Sequence, residues 1–125
     1  MSSNFNLNKV VLGGRLTADV ELKQTPSGVS VCQFTMAINR KYISKEEGGQ
    51  TADFINCVAW RSTAEFISKY FKKGSSICVC GSIQTRHWKD NDGNRHYATE
   101  IVADEAMFVD SKGGNASSEQ DELPM

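Results

Sequence analysis

Four aromatic residues, Tyr42, Phe54, Trp60 and Trp88, stand in strand-forming stretches that also carry Arg and Lys. Flat rings on a sheet surface beside cations give unpaired nucleobases a stacking platform, one that tolerates any sequence because every base has a π face. Aromatics in strands commonly fill a core instead, so spacing has to decide. Along Asp53–Trp60 (DFINCVAW) the side chains alternate: Phe54, Asn56, Val58 and Trp60 share one face, and Ile55, Cys57 and Ala59 the other. The second set is small and apolar and suits a core. The first leaves two large rings bare unless something covers them, which marks an interaction surface.

Cations flank these rings. Arg40, Lys41, Arg61, Lys72, Lys73, Arg86, Lys89 and Arg95, with Arg15 further upstream, are the candidates for phosphate contact, Arg61 and Arg86 foremost. Lys72 and Lys73 could equally serve a helix C-terminus. The formal net charge is −1, unevenly spread: residues 1 to 110 hold 13 Lys+Arg against 12 Asp+Glu, whereas residues 111 to 125 hold Lys112 against Glu119, Asp121 and Glu122. A body so weakly basic must grip a polyanion through local clusters and stacking, with modest long-range steering.

Catalysis and metal chemistry find little support. Cys32, Cys57, Cys78 and Cys80 lie in apolar strand-like segments without paired CxxC spacing, so buried free thiols in a reducing compartment are expected, and no disulfides. A metal site from Cys78, Cys80, His87 and His96 would need ligand spacing that a Cys-x-Cys and two distant histidines do not supply. Neither histidine has a nucleophile or carboxylate at a catalytic spacing. No enzyme activity, metal or cofactor is expected.

The 125 residues suffice for one domain and a short appendage. No apolar run approaches the roughly 18 residues of a membrane span, and Met1–Asn6 lacks a basic start followed by an apolar stretch. A cytoplasmic protein is expected. Asn8–Leu16 reads as a strand with a bend or bulge at Gly13-Gly14, and Val20–Thr25 as an extended segment turning at Pro26-Ser27-Gly28. A long strand then runs from Val29 to about Tyr42, with Ile43 to Ala52 as a loop. Ser62-Thr63-Ala64-Glu65 matches a capping box, and Phe66, Ile67, Tyr70 and Phe71 follow at helical spacing before Lys72-Lys73-Gly74. Phe66, Tyr70 and Phe71 are assigned to the core. Ile77 to Trp88 and Arg95 to Ala103 form a hairpin around Asp90–Asn94, and Glu105–Val109 adds a short strand or extended end. That order predicts an all-β, five-stranded barrel of the oligonucleotide/oligosaccharide-binding (OB) layout, with one short α-helix between strands three and four. From Ser111 the composition turns polar and acidic, predicting a disordered tail. The division is thus 1–110 for the barrel and 111–125 for the tail.

Several separate segments, in order, resemble the bacterial-type single-stranded DNA-binding protein family: Asn8–Leu16 (NKVVLGGRL), Asp53–Trp60, Tyr70–Ser75 (YFKKGS), Gln84–Trp88 (QTRHW), then Asp92-Gly93 and Tyr97–Glu100 (YATE). The resemblance covers about Asn8 to Val109. It implies sequence-tolerant binding of single-stranded DNA in replication, recombination and repair, a homotetramer, and a place at the nucleoid. It also implies that Tyr42, Phe54, Trp60 and Trp88 stack on bases, Tyr42 and Phe54 standing where related proteins often have Trp. By the same likeness Asp121-Glu122-Leu123-Pro124-Met125 is a tip that docks replication and repair proteins, with Met125 where the family usually has Phe and a short linker before it. Read without the likeness, that end is a frayed terminus kept soluble by charge. A rival reading of the aromatic face is a site for another protein or for a second copy of the chain.

Overall fold

Alternating side chains, broken by turn residues, become strands wherever one face can be buried. The computed structural model describes residues 4–42 and 51–109, and within them lie six strands and one helix. These are β1 (Val10–Leu16), β2 (Lys23–Gln24), β3 (Ser30–Asn39), β4 (Ala52–Trp60), α1 (Arg61–Tyr70), β5 (Ser76–Lys89) and β6 (Arg95–Phe108). The predicted loop from Ile43 lies outside the described residues as far as Gln50, as do Asp110 and the predicted tail from Ser111.

The five longer strands pair in a cycle. β1 pairs with β5, β5 with β6, β6 with β4, β4 with β3, and β3 returns to β1 through Arg15↔Ala37 and Leu16↔Met36. Only the β4–β6 contact is parallel. A ring of this kind has an inside, and the inward positions fill it: Leu16, Phe34, Met36, Cys57, Ile77, Val79 and Ile101 are buried in one core with Ala64, Ile67 and Phe71 from the helical segment. The helix follows the third of the five long strands, as predicted. Burial pushes the thiols of Cys32 and Cys57 up to about 11 and about 12, so both stay protonated and inert.

Differences from the sequence reading have local causes. β1 begins at Val10 because the Asn8 side chain takes over the ladder, donating to the Ile83 carbonyl at 2.8 Å and accepting from the Ile83 amide at 2.9 Å. The segment Val20–Thr25 yields only β2, although the turn it enters is as expected: Thr25 and Val29 pair across it, with Gly28 at φ 88°. The capping box does not form. The chain passes from β4 straight into α1 with Arg61 at φ 57°, Trp60 caps without a side-chain bond, and Glu65 instead accepts from the Ser30 hydroxyl at 2.8 Å. Thr63 donates to the Asp104 carbonyl at 3.0 Å, which the register break opposite Cys80 and Gly81 leaves available.

The helix also stops before Lys72 and Lys73. Phe71 turns extended and inserts its ring against Phe108, 4.9 Å between centroids and nearly parallel, so the burial of that ring ends the helix. Phe66 completes the aromatic cluster, while Tyr70, assigned to the core from its spacing, touches Phe66 at 5.3 Å but stays half exposed. Glu105 to Phe108 is not a separate strand but the end of β6 beyond that register break.

Closure of the ring depends on Gly14. A Cβ there would lie 2.5 Å from the Ala37 carbonyl oxygen and 2.9 Å from Ile38 Cγ1, whereas one on Gly13 would meet nothing within 4 Å. Gly14→Ala should therefore lower stability by about 1–3 kcal/mol, the usual cost of overpacking, and Gly13→Ala should leave the urea midpoint nearly unchanged. An equal effect of the two would contradict a closure made at Gly14.

Candidate nucleic-acid interface

Residues opposite one another across a ladder project from the same face, so the register lays out the surface row by row. Trp60 stands opposite Val31, Val58 opposite Gln33, Asn56 opposite Thr35, and Phe54 opposite Ala37. Ala37 in turn pairs with Arg15, bringing that cation into the row of Phe54. On the other side Val58 pairs with Val102 of β6, and the β5–β6 ladder continues through Gln84↔Glu100, Arg86↔Ala98 and Trp88↔His96. One outward surface thus runs over β3, β4, β6 and β5.

All four predicted rings are exposed: Tyr42 84 %, Phe54 65 %, Trp60 42 % and Trp88 43 %. Between Trp60 and Arg86 lies a cleft of about 710 Å³ floored by Val31, Val58 and Val102. Val58, grouped with the bare rings by its period, is buried as part of that floor. A second cleft of about 290 Å³ continues over Thr35, Asn56 and Ala98, sharing Arg86 and Glu100 with the first. The Thr35 hydroxyl donates to Asn56 Oδ1 at 3.1 Å. An apolar floor, amides at the sides and rings at the ends are what a row of unstacked bases requires.

The predicted cations separate into two groups. Arg40 is held by Asp53 in a two-point bridge of 2.8 and 3.1 Å, and Arg86 donates Nε to Glu100 at 3.1 Å while its guanidinium lies 4.7 Å from the centre of the Trp88 ring. The hydrogen bond from Arg40 holds the Asp53 carboxyl below the usual carboxylate range. Lys41 sits exposed beside Tyr42, Arg61 follows Trp60 directly, and Lys89 and Arg95 face each other at the tip of the hairpin. Lys72 and Lys73 occupy the turn after α1, where the Lys73 amide donates to Asp19 at 2.8 Å and Asp19 itself lines the Trp60 cleft.

Some contributors escaped the sequence reading. Tyr97 is 70 % exposed and meets His87 edge-on at 5.7 Å on the reverse face of the hairpin; its sharing a face with the polar Arg95 and Thr99 was the available signal. Lys23 lines the main cleft from the short strand β2, and no periodicity marks it. His96 stacks on Trp88, 5.5 Å apart and 21° from parallel, and its Nε2 lies 2.8 Å from Asp90. His87 and His96 are therefore surface residues, as expected, but His96 braces a ring. Among the described residues no group of three or more His, Cys, Asp or Glu could hold a metal ion.

With the geometry in place, comparison with known proteins decides the lineage. The model of the Single-strand binding protein family matches residues 7–109. The chain belongs to that family. A single-stranded DNA-binding protein of Oceanobacillus iheyensis is 49 % identical over 113 residues, 90 % of this chain and 70 % of the relative. Single-stranded DNA-binding protein 3 of Listeria innocua is 50 % identical over 116 residues, 90 % of this chain and 72 % of the relative. Single-stranded DNA-binding protein 1 of Streptococcus pyogenes is 47 % identical over 120 residues, 94 % of this chain and 92 % of the relative. The single-strand binding family consists of non-enzymatic DNA-binding proteins, and the closed five-stranded ring is the OB-fold that membership implies.

The His96 bridge, followed by the amides of Asn94 and Asp92, holds the Asp90 carboxyl below its ordinary value. A depressed carboxylate stabilises the fold above its unfolded pKa, and that contribution is lost as pH falls through the folded value. His96→Ala should raise the Asp90 pKa toward the ordinary range in a carboxyl NMR titration and alter Trp88 emission, whereas an unmoved Asp90 would mean that the turn amides alone hold it.

Proposed function

We propose that the outward surface of β3, β4, β6 and β5 binds single-stranded DNA with little regard to sequence, bases stacking on Trp60, Trp88, Phe54 and Tyr42. Phosphates run past Arg15, Arg86 and the lysines and arginines at the rim. The observation that carries this reading is the joint exposure of Phe54 and Trp60 at the two ends of one strand face, with an apolar cleft beside Trp60. The names of the relatives support it.

The wider role follows from the same reading: coating exposed strands during replication, recombination and repair, in the cytoplasm at the nucleoid. Among the described residues no helix is long and apolar enough to cross a membrane. Assembly as a homotetramer is supported by two features of the barrel. β3 pairs with β1 only through Arg15 and Leu16, so Val10–Gly14, paired with β5 on one side, present on their other side an edge that no described strand pairs, and the exposed side chains of Val11 and Met107 lie on the outer face next to it. Unpaired edges of this kind recruit further strands. The final residues Asp121–Met125 are proposed as the docking tip for replication and repair proteins; they lie outside the described residues, and their acidic-then-apolar order supports the proposal. Residues 1–110 would then be the DNA-binding unit and 111–125 the tail.

Oligo-dT should quench tryptophan emission strongly. Trp60→Ala and Trp88→Ala should each weaken binding by about 1–3 kcal/mol with the urea unfolding midpoint preserved. Unchanged emission at low salt, with no binding by gel shift, would refute the stacking surface.

A further inference from the structure

The Arg86–Glu100 ion pair stands where the two clefts meet, since both residues line both cavities. Its partners are unequally placed: the Arg86 side chain is 53 % exposed and that of Glu100 only 17 %. The less exposed partner is therefore the acid, set beside the apolar floor of a groove proposed to receive a polyanion. Asp19 and Glu21 add two more carboxylates to the larger cleft, against Lys23 and Arg86. A groove with this balance repels phosphate from its floor while accepting neutral bases.

We infer that Glu100 is a built-in counter-charge for Arg86: it occupies the guanidinium while the groove is empty, and a DNA phosphate must compete with it. Two effects follow from one residue. Arg86 is held over Trp88 until a strand arrives, and the sugar-phosphate backbone is kept at the rim so that bases face the floor. Glu100 thus limits affinity and salt sensitivity without touching a base, a positioning residue acting through Arg86. The inference rests on the DNA-binding reading above and goes beyond it by assigning a role to an acid that the reading does not use.

The test is Glu100→Gln, which keeps size and hydrogen bonding and removes the charge. Oligo-dT titrations at several salt concentrations should show roughly fivefold tighter binding at low salt, the upper range for one exposed ion pair. The slope of log K against log salt should steepen by about 0.7, the increment for one further phosphate contact on a single strand. Glu100→Asp, whose shorter side chain withdraws from Nε, should shift both in the same direction, and it serves should the Gln variant fail to fold. In Arg86→Gln/Glu100→Gln the gain over Arg86→Gln alone should fall well below the roughly fivefold seen with Arg86 present, only the direct repulsion of phosphate being relieved, and an undiminished gain there would overturn a role exerted through Arg86. A Glu100→Gln protein that binds more weakly, or with an unchanged slope, overturns the inference while wild-type binding leaves the DNA-binding reading intact; a wild-type protein that ignores oligo-dT overturns both.

Discussion

Successive side chains of a strand point to opposite faces, so a ring of strands can bury only half of them. In this chain the constraint is strict because the ring is small. Phe34, Met36, Cys57, Ala59, Ile77 and Val79 fill its interior, and Phe54 and Trp60 fall on the alternate, outward positions of β4. Exposure of the aromatics is thus a consequence of closure, and closure turns on β1 meeting β3 at Arg15 and Leu16, where Gly14 lets the backbones approach. The same alternation that builds the core places the proposed recognition surface on its back.

Charge plays the smaller part. Two of the candidate phosphate ligands, Arg40 and Arg86, are already bonded to carboxylates, and the main cleft carries more acids than bases. On the proposed reading, a surface arranged in this way would gain its affinity from ring stacking and from excluding water over an apolar floor, with cations at the rim for direction. Such a division suits a protein that must hold any sequence and still release it. The hairpin of β5 and β6 shows it in miniature: Trp88 projects from one side, braced by His96 and Arg86, while Lys89 and Arg95 face each other at the tip.

Much of this was legible in the residues. The strict alternation of Asp53–Trp60 placed Phe54 and Trp60 outward and Ile55, Cys57 and Ala59 inward, and the glycine pair at 13 and 14 marked the point of tight curvature. Periodicity misplaced Val58 and Tyr70, because burial on an outer face depends on what lies across the sheet, and β6 supplies Val102 opposite Val58. The helix boundaries were misread for tertiary reasons: Glu65 is drawn to Ser30, 35 residues away in sequence, and Phe71 to Phe108. No local motif encodes these partners. Likewise the ion pairs that occupy Arg40 and Arg86 are set by strand register, which a single sequence does not state.

The central claim is that bases lie on the outward rings of β4 and the hairpin. Photo-crosslinking a bromouracil-substituted single strand to the full chain, followed by peptide mapping, tests it most directly. The account predicts adducts at Trp60, Trp88 and Phe54; adducts confined to the opposite surface, around Val11 and Met107, would contradict it.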